Sequence, residues 1–198
     1  EQQLLQLEKV KDKKRVANQL SSLVLMRTLS QELRMKIYYA QSMNYFGLND
    51  FDKAITAQQS FKRIAQQRNL RQKQAESDKL IGVFYYYKSM YPQALLAYKA
   101  SLDYFLTVDE PLKQANLYNN IALVQTSQYD FSKAIESYKS AESLYQNYGS
   151  EADKIDVRYN IATLYISLRR YDTAIKMFLE VIDKYEKLGR QKDQAKAW

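Results

Sequence analysis

Apolar and polar residues follow one another along this chain with the period of an α-helix, and the helical pattern itself recurs every 40 residues. Ala54, Ala94, Ala134 and Ala174 mark the recurrence, each preceded by three residues with an aromatic: Phe51, Tyr91, Phe131 and Tyr171. Twelve residues before each Ala stands a small residue (Ser42, Gly82, Ala122, Ala162), followed after three more by Tyr45, Tyr85, Gln125 and Tyr165. Eleven residues after each Ala come Ala65, Phe105, Tyr145 and Tyr185, and no insertion breaks the register through four units. In the last of them Ile161, Leu164, Tyr165 and Leu168 form one apolar helical face, and Ala174, Phe178, Val181 and Tyr185 form its partner.

The pattern predicts a run of helix hairpins, about 31–47 with 51–68, 70–88 with 91–107, 110–128 with 131–148, and 151–168 with 171–188. A small residue in the middle of each first helix lets the second approach closely, and aromatics fill the space around the contact. Asn69, Asp109, Gly149 and Gly189, again 40 apart, are types that tolerate the left-handed backbone of a helix stop. Ser150 with Asp153 reads as an acidic capping box, and Pro92 falls where a second helix begins and no backbone N–H is needed. Residues 191–198 start another first helix, since Trp198 lies 40 after Arg158, 80 after Tyr118 and 160 after Tyr38. Hairpins of this kind bury their apolar faces only by stacking on neighbours, so a truncated fifth unit would leave an apolar end.

Residues 1–30 stand outside the register. Leu4, Leu5, Val10, Val16, Leu20, Leu23 and Val24 permit one or two amphipathic helices, either a helical cap or divergent half-repeat over the first hairpin or a dimerising coiled coil. No sustained heptad supports the latter. The organisation is therefore 1–30 as cap, then 31–198 as four repeats and the start of a fifth.

Composition removes much of chemistry from consideration. The 198 residues include no Cys and no His, which leaves no disulfide, no thiolate and none of the commonest metal ligand or near-neutral proton shuttle. Neither a metal nor a cofactor is expected. Only four Gly and two Pro argue for helices rather than hairpin-rich sheet. No apolar run is long enough to span a membrane. The sequence begins at Glu1 and ends at Trp198 inside a new helix, and reads as a soluble piece of a longer protein, in a bacterial periplasm or cytoplasm.

The segments Tyr118-Asn119-Asn120-Ile121-Ala122, Phe131-Ser132-Lys133-Ala134-Ile135, Tyr159-Asn160-Ile161-Ala162 and Tyr171-Asp172-Thr173-Ala174-Ile175 resemble tetratricopeptide repeats. The resemblance covers about residues 33–198, with Gln41 the weak point of the first unit, where later units have Ile. That family's usual period is about 34 residues, so the likeness is to its long-helix variant, as in kinesin light chains, Rap-type peptide regulators and sensor regions of bacterial signalling proteins. The resemblance implies an all-α solenoid, a right-handed superhelical array of antiparallel helix hairpins whose first helices line a concave groove. On that mapping the groove receives Lys36, Tyr39, Met43 and Phe46 from the first unit, then Glu76, Lys79, Val83 and Tyr86 from the second. The third gives Asn116, Asn119, Asn120, Leu123 and Thr126, and the fourth Asp156, Tyr159, Asn160, Thr163 and Ile166.

Tyr39, Lys79, Tyr86, Asn119, Asn120, Tyr159 and Asn160 are the candidate binding residues. Asn side chains pair with a peptide backbone whatever its sequence, and Tyr supplies contact area. Asn120 and Asn160 match the family position whose Asn contacts bound peptide, a position at which Asn is also a frequent structural residue. The cationic clamp on a terminal carboxylate that some relatives use is not expected, because its positions carry Asn116, Asp156 and Asn160. Tyr45, Tyr85, Tyr138, Tyr165 and Tyr185 read as core; of consecutive Tyr85, Tyr86 and Tyr87, Tyr86 is assigned to the groove.

The net charge of +8 raises nucleic acid as a partner, but the basic residues sit toward the ends. Residues 117–156 carry three Lys (133, 139, 154) against six carboxylates (Asp130, Glu136, Glu142, Glu151, Asp153, Asp156). The reading is a non-catalytic protein- or peptide-binding scaffold, the sensor or interaction domain of a larger bacterial signalling protein. The alternatives are a structural module that self-associates through its N-terminal helices or open C-terminal end, and, less favoured, a nucleic-acid-binding helical repeat.

Overall fold

The computed structural model describes residues 12–26 and 28–189, and all regular structure among them is helical. The helices are α1 (Lys13–Val24), α2 (Gln31–Phe46), α3 (Phe51–Gln67), α4 (Arg71–Tyr87), α5 (Tyr91–Phe105), α6 (Pro111–Ser127), α7 (Phe131–Tyr148), α8 (Glu151–Ser167) and α9 (Tyr171–Lys187). The hairpin limits expected from the periodicity agree with these to within a few residues. The fold is that of tetratricopeptide-like helical repeats. The expected start of a fifth unit at 191–198 lies outside the described residues, as do Leu4, Leu5 and Val10 of the N-terminal segment.

The chain forms two compact units, one ending at Tyr104 and the other beginning at Phe105. In the first, Val16 and Leu20 of α1 pack on Ile37 of α2. The α1 C-terminus is held by Arg34, whose guanidinium donates to the carbonyls of Val24 at 3.1 Å and Met26 at 2.9 Å. Gln74, 40 residues on, donates to the Ala65 carbonyl at the end of α3. In the second unit Gln114 reaches the Phe105 carbonyl at 2.8 Å. A donor in the first turn of each of these first helices thus satisfies a carbonyl that the preceding helix leaves without an intrahelical partner.

Within each hairpin, packing follows the register of the small residues. Ala54, Ala94, Ala134 and Ala174 are all buried to within 1% of complete. Gly82 faces Tyr98 so closely that a Cβ there would lie 2.7 Å from the ring, and the ring is itself only 2% exposed. Ala122 shares a core cluster with Tyr138 in the corresponding place. In the first hairpin the same pair is polar: the Ser42 hydroxyl donates to Gln58 Oε1 at 2.8 Å, both residues buried. A fully buried aromatic such as Tyr138 contributes about 1.5–3 kcal/mol by burial, so these contacts weigh most in the second and third hairpins.

The turns depart from the sequence expectation. Asn69 and Gly189 are left-handed, at φ 55 and 67, as their residue types suggested. Gly149 is extended at φ −85, ψ 157 because Ser150 directly after it caps α8, and Asp109 is not left-handed either. The regular left-handed positions lie instead inside the hairpins, at Asn49, Ser89, Tyr129 and Arg169, spaced by 40. Each is followed by a residue whose N–H reaches back five residues at 2.9 Å, from Asp50 to Tyr45, Met90 to Tyr85, Asp130 to Gln125 and Arg170 to Tyr165. Those bonds satisfy the last carbonyls of the first helix, at about 1 kcal/mol or more of backbone strain for each non-glycine residue.

Asp50 and Asp130 open α3 and α7, each accepting from the backbone N–H three residues on. The hydrogen bond from the Lys53 ammonium holds the Asp50 carboxyl below its ordinary range, and Lys133 does the same to Asp130, in each case against a smaller opposing effect of desolvation. Asp78, paired with Lys62, moves the other way because burial outweighs its partner.

Two outcomes follow for stability. Gly82→Val should lower it by about 1–3 kcal/mol through overpacking against the Tyr98 ring, measured by urea denaturation. Carboxyls depressed in the folded state contribute stability that is present above their unfolded pKa and lost as pH falls through the folded one. An Asp50→Asn/Asp130→Asn variant keeps a cap acceptor without the charge. It should therefore lose less stability than the unaltered chain from about pH 6 to about pH 3, read as the shift in urea midpoint.

Candidate functional site

In the second unit, residues of α6 and α8 enclose a cavity of about 340 Å³. Helical spacing puts Asp153, Asp156, Val157 and Asn160 on one face of α8, with Tyr159 beside them, and Asn116 and Asn119 come from α6. Tyr145 of α7 and Tyr185 of α9 complete the lining.

Hydrogen bonds fix most of these groups. The Tyr145 hydroxyl donates to Asn116 Oδ1 at 3.0 Å, and the Tyr185 hydroxyl donates to Asp156 Oδ1 at 2.5 Å. Asn160 Nδ2 donates to Asn119 Oδ1 at 3.0 Å, tying α8 to α6. Asp153 accepts from the Ser150 backbone and hydroxyl in the capping box expected from the sequence. Burial, and then the charges of Asp153 and Asp156, push the Tyr145 phenol well above its ordinary pKa, so the hydroxyl remains a donor.

A second cavity, of about 320 Å³, lies among α7, α8 and α9 and includes Glu142, Arg158, Tyr165 and Met177. There Arg158 pairs with both Glu142 at 3.1 Å and Glu180 at 2.8 Å, so its charge is already matched within the protein.

Of the seven candidate residues, Asn119, Tyr159 and Asn160 meet at the first cavity. Asn120 is half-buried and does not line it. Tyr39, 47% exposed, and half-buried Lys79 and Tyr86 belong to the first unit. The Tyr86 ring sits edge-on to Tyr87 at 5.8 Å and 5.9 Å from Tyr91, and Tyr87 is the exposed member of the triplet. Tyr145 and Tyr185 are buried as core positions should be, but their hydroxyls point to the cavity's polar groups. The register holds the clue: Tyr145 and Tyr185 stand 29 residues after Asn116 and Asp156, whereas the equivalent Phe105 and Ala65 carry no hydroxyl.

Among the described residues, no group of three or more His, Cys, Asp or Glu is arranged to hold a metal, and no helix is long and apolar enough to cross a membrane.

Comparison with known proteins places this geometry in context. The family described as SNAP, soluble NSF attachment protein, matches residues 36–196. Among curated proteins, none matches the chain significantly. Among solved structures, BtubC (BKLC) from P. vanneervenii is similar at TM-score 0.77 and 18% identity, over 92% of this chain and 76% of that one. A signal transduction ATPase with numerous domains and a tetratricopeptide repeat sensor, from Pyrococcus horikoshii, is similar at TM-score 0.79 and 17% identity, over 93% of this chain and 28% of that one. The Rap conjugation gene regulator of plasmid pLS20, in complex with the Phr* peptide, is similar at TM-score 0.73 and 13% identity, over 93% of this chain and 50% of that one. The chain thus spans half of the Rap regulator and little more than a quarter of the ATPase, and at these identities the likeness shows the fold alone.

The hydroxyls at the cavity can be removed without disturbing the rings, since Phe105 already occupies the same register as a buried Phe. Tyr145→Phe should lower stability by about 0.5–1.5 kcal/mol, the usual net worth of one hydrogen bond, as read by urea denaturation followed through the helical circular dichroism signal.

Proposed function

The chain belongs to the soluble NSF attachment protein family, and we propose that it is a non-catalytic scaffold that binds a polypeptide segment along its first helices, as the sensor or interaction domain of a larger signalling protein. The observation that carries this reading is the polar cavity between α6 and α8. Asn119 and Asn160 share one hydrogen bond there, which leaves the Asn160 oxygen and the Asn119 amide protons to meet a peptide backbone. Tyr159 adds an aromatic surface beside them. The Rap regulator, similar in fold, is seen in complex with a peptide, and the ATPase carries its repeats as a sensor, both of which agree with the reading.

Within the first unit, Tyr39 of α2 with Lys79 and Tyr86 of α4 are the proposed binding residues. A ligand that touches two successive hairpins favours the arrangement in which both contacts are made, and so transmits its presence by shifting that equilibrium.

A panel of fluorescein-labelled synthetic peptides, measured by anisotropy against the full chain, tests the proposal. Asn119→Ala and Asn160→Ala should each weaken the best binder by roughly fivefold to tenfold, the effect of losing about one hydrogen bond. Asn120→Ala, outside the cavity, should change it by less than about twofold. Unchanged affinity in both the Asn119 and Asn160 variants would rule out this face.

A further inference from the structure

We infer that the cavity between α6 and α8 accepts a basic side chain, Lys or Arg, of the bound polypeptide, with Asp156 as its principal partner and the ring of Tyr159 beside it. This rests on the reading of that face as a peptide-binding surface.

Charge carries the argument. Asp153 and Asp156 line one small cavity, and among the described residues neither forms an ion pair with a Lys or Arg. The cations beside the two carboxylates on α8 are committed elsewhere, as is Lys113 of α6. Lys154 pairs with Glu151 at 2.7 Å, Lys113 lies over the Phe105 ring and pairs with Glu110 at 3.5 Å, and Arg158 is held by Glu142 and Glu180. Two carboxylates held together without a counter-ion repel each other and gain from a cation that enters their cavity.

Each keeps one carboxylate oxygen open, and Asp156 is the more accessible. Half-buried Asp153 is engaged by Ser150 twice through its Oδ2 and retains Oδ1, while exposed Asp156 gives Oδ1 to the Tyr185 hydroxyl and retains Oδ2. A donor arriving there forms a charge-assisted hydrogen bond, stronger than a neutral one. A tyrosine face attracts cations as well, and half-buried Tyr159 is in the lining. The register shows that this is a property of one repeat. The positions equivalent to Asp156 carry Lys36, Glu76 and Asn116, and those equivalent to Asp153 carry Leu33, Lys73 and Lys113. Among the described helices only α8 brings two carboxylates to this face, in a chain whose net charge is +8.

The test uses probes smaller than a peptide. The full chain, labelled with nitrogen-15, is titrated with N-acetyl-arginine methylamide, N-acetyl-lysine methylamide and, as control, N-acetyl-glutamate methylamide. The basic probes should saturably shift the side-chain amide signals of Asn116, Asn119 and Asn160, and the acidic probe should not. Asp156→Asn preserves an oxygen acceptor for Tyr185 and should weaken the basic probes roughly tenfold. Raising the salt concentration should weaken them in the unaltered chain too. The inference is overturned if the basic probes move these amides no more than the acidic one does, or if their affinity is indifferent to both salt and Asp156→Asn. Peptides that bind while the basic probes fail would remove the cation-accepting pocket and leave the peptide-binding surface. Basic probes that bind to a chain deaf to every peptide would do the reverse.

Discussion

The structure depends on how closely two helices can approach at one point in each hairpin. At Ser42, Gly82 and Ala122 the first helix presents little or no side chain, and the second fills the space with Gln58, Tyr98 and Tyr138. The buried Ala on the second helix makes the converse concession. Because a protein interior is close-packed, the size of the residue on one side fixes what the other can hold. Gly82 with Tyr98 and Ala122 with Tyr138 are two solutions of that constraint, and Ser42 with Gln58 solves it with a buried hydrogen bond. The 40-residue period is the trace this constraint leaves in the sequence.

Once hairpins are fixed, their ends must be satisfied, and the chain does so by two recurring devices. The left-handed residue between the helices of each hairpin turns the backbone so that an N–H reaches five residues back. Arg34, Gln74 and Gln114 then satisfy carbonyls at the C-terminus of the preceding helix. The second device lets α1 join the same scheme without matching the repeat in sequence: Arg34 treats the end of α1 as Gln74 treats the end of α3. What is shared is the position of a donor over an exposed helix end, not the identity of the residue.

This explains how much could be read in advance. The hairpins and their core were legible because their cause, apolar and small residues at a fixed spacing, lies in side chains. The left-handed turns at Asn49, Ser89, Tyr129 and Arg169 were not, because there the demand falls on the backbone and four different side chains tolerate it. Glycine at 149 suggested such a turn and instead accompanies tight packing, where a Cβ would come within 2.7 Å of the Tyr145 carbonyl oxygen. The candidate site was half legible. Asn119, Tyr159 and Asn160 were expected from the tetratricopeptide resemblance mapped onto the first helices, but Tyr145 and Tyr185 serve as core rings and cavity donors at once. Periodicity reports only the ring. Of the adjacent rings, Tyr87 is the exposed one and Tyr86 is half-buried, an arrangement of neighbouring aromatics that periodicity does not report.

The same double use links the cavity to the packing of the second unit. Tyr145 and Tyr185 are each within about 5% of full burial, yet their hydroxyls meet polar groups on α6 and α8. The bond from Asn160 to Asn119 crosses from the fourth repeat to the third, and Val157, in the cavity wall, belongs to the same core cluster as Tyr145. A ligand in the cavity would therefore press on groups whose other ends are core. Packed interiors respond to such pressure by discrete rearrangement rather than by yielding gradually. The free energy a ligand can deliver to that rearrangement is limited to its difference in affinity between the two arrangements. Contacts made to both repeats at once maximise that difference, because they are lost together when the repeats shift. On the proposed reading, a polar cavity built across two hairpins would in this way convert binding into a change of shape.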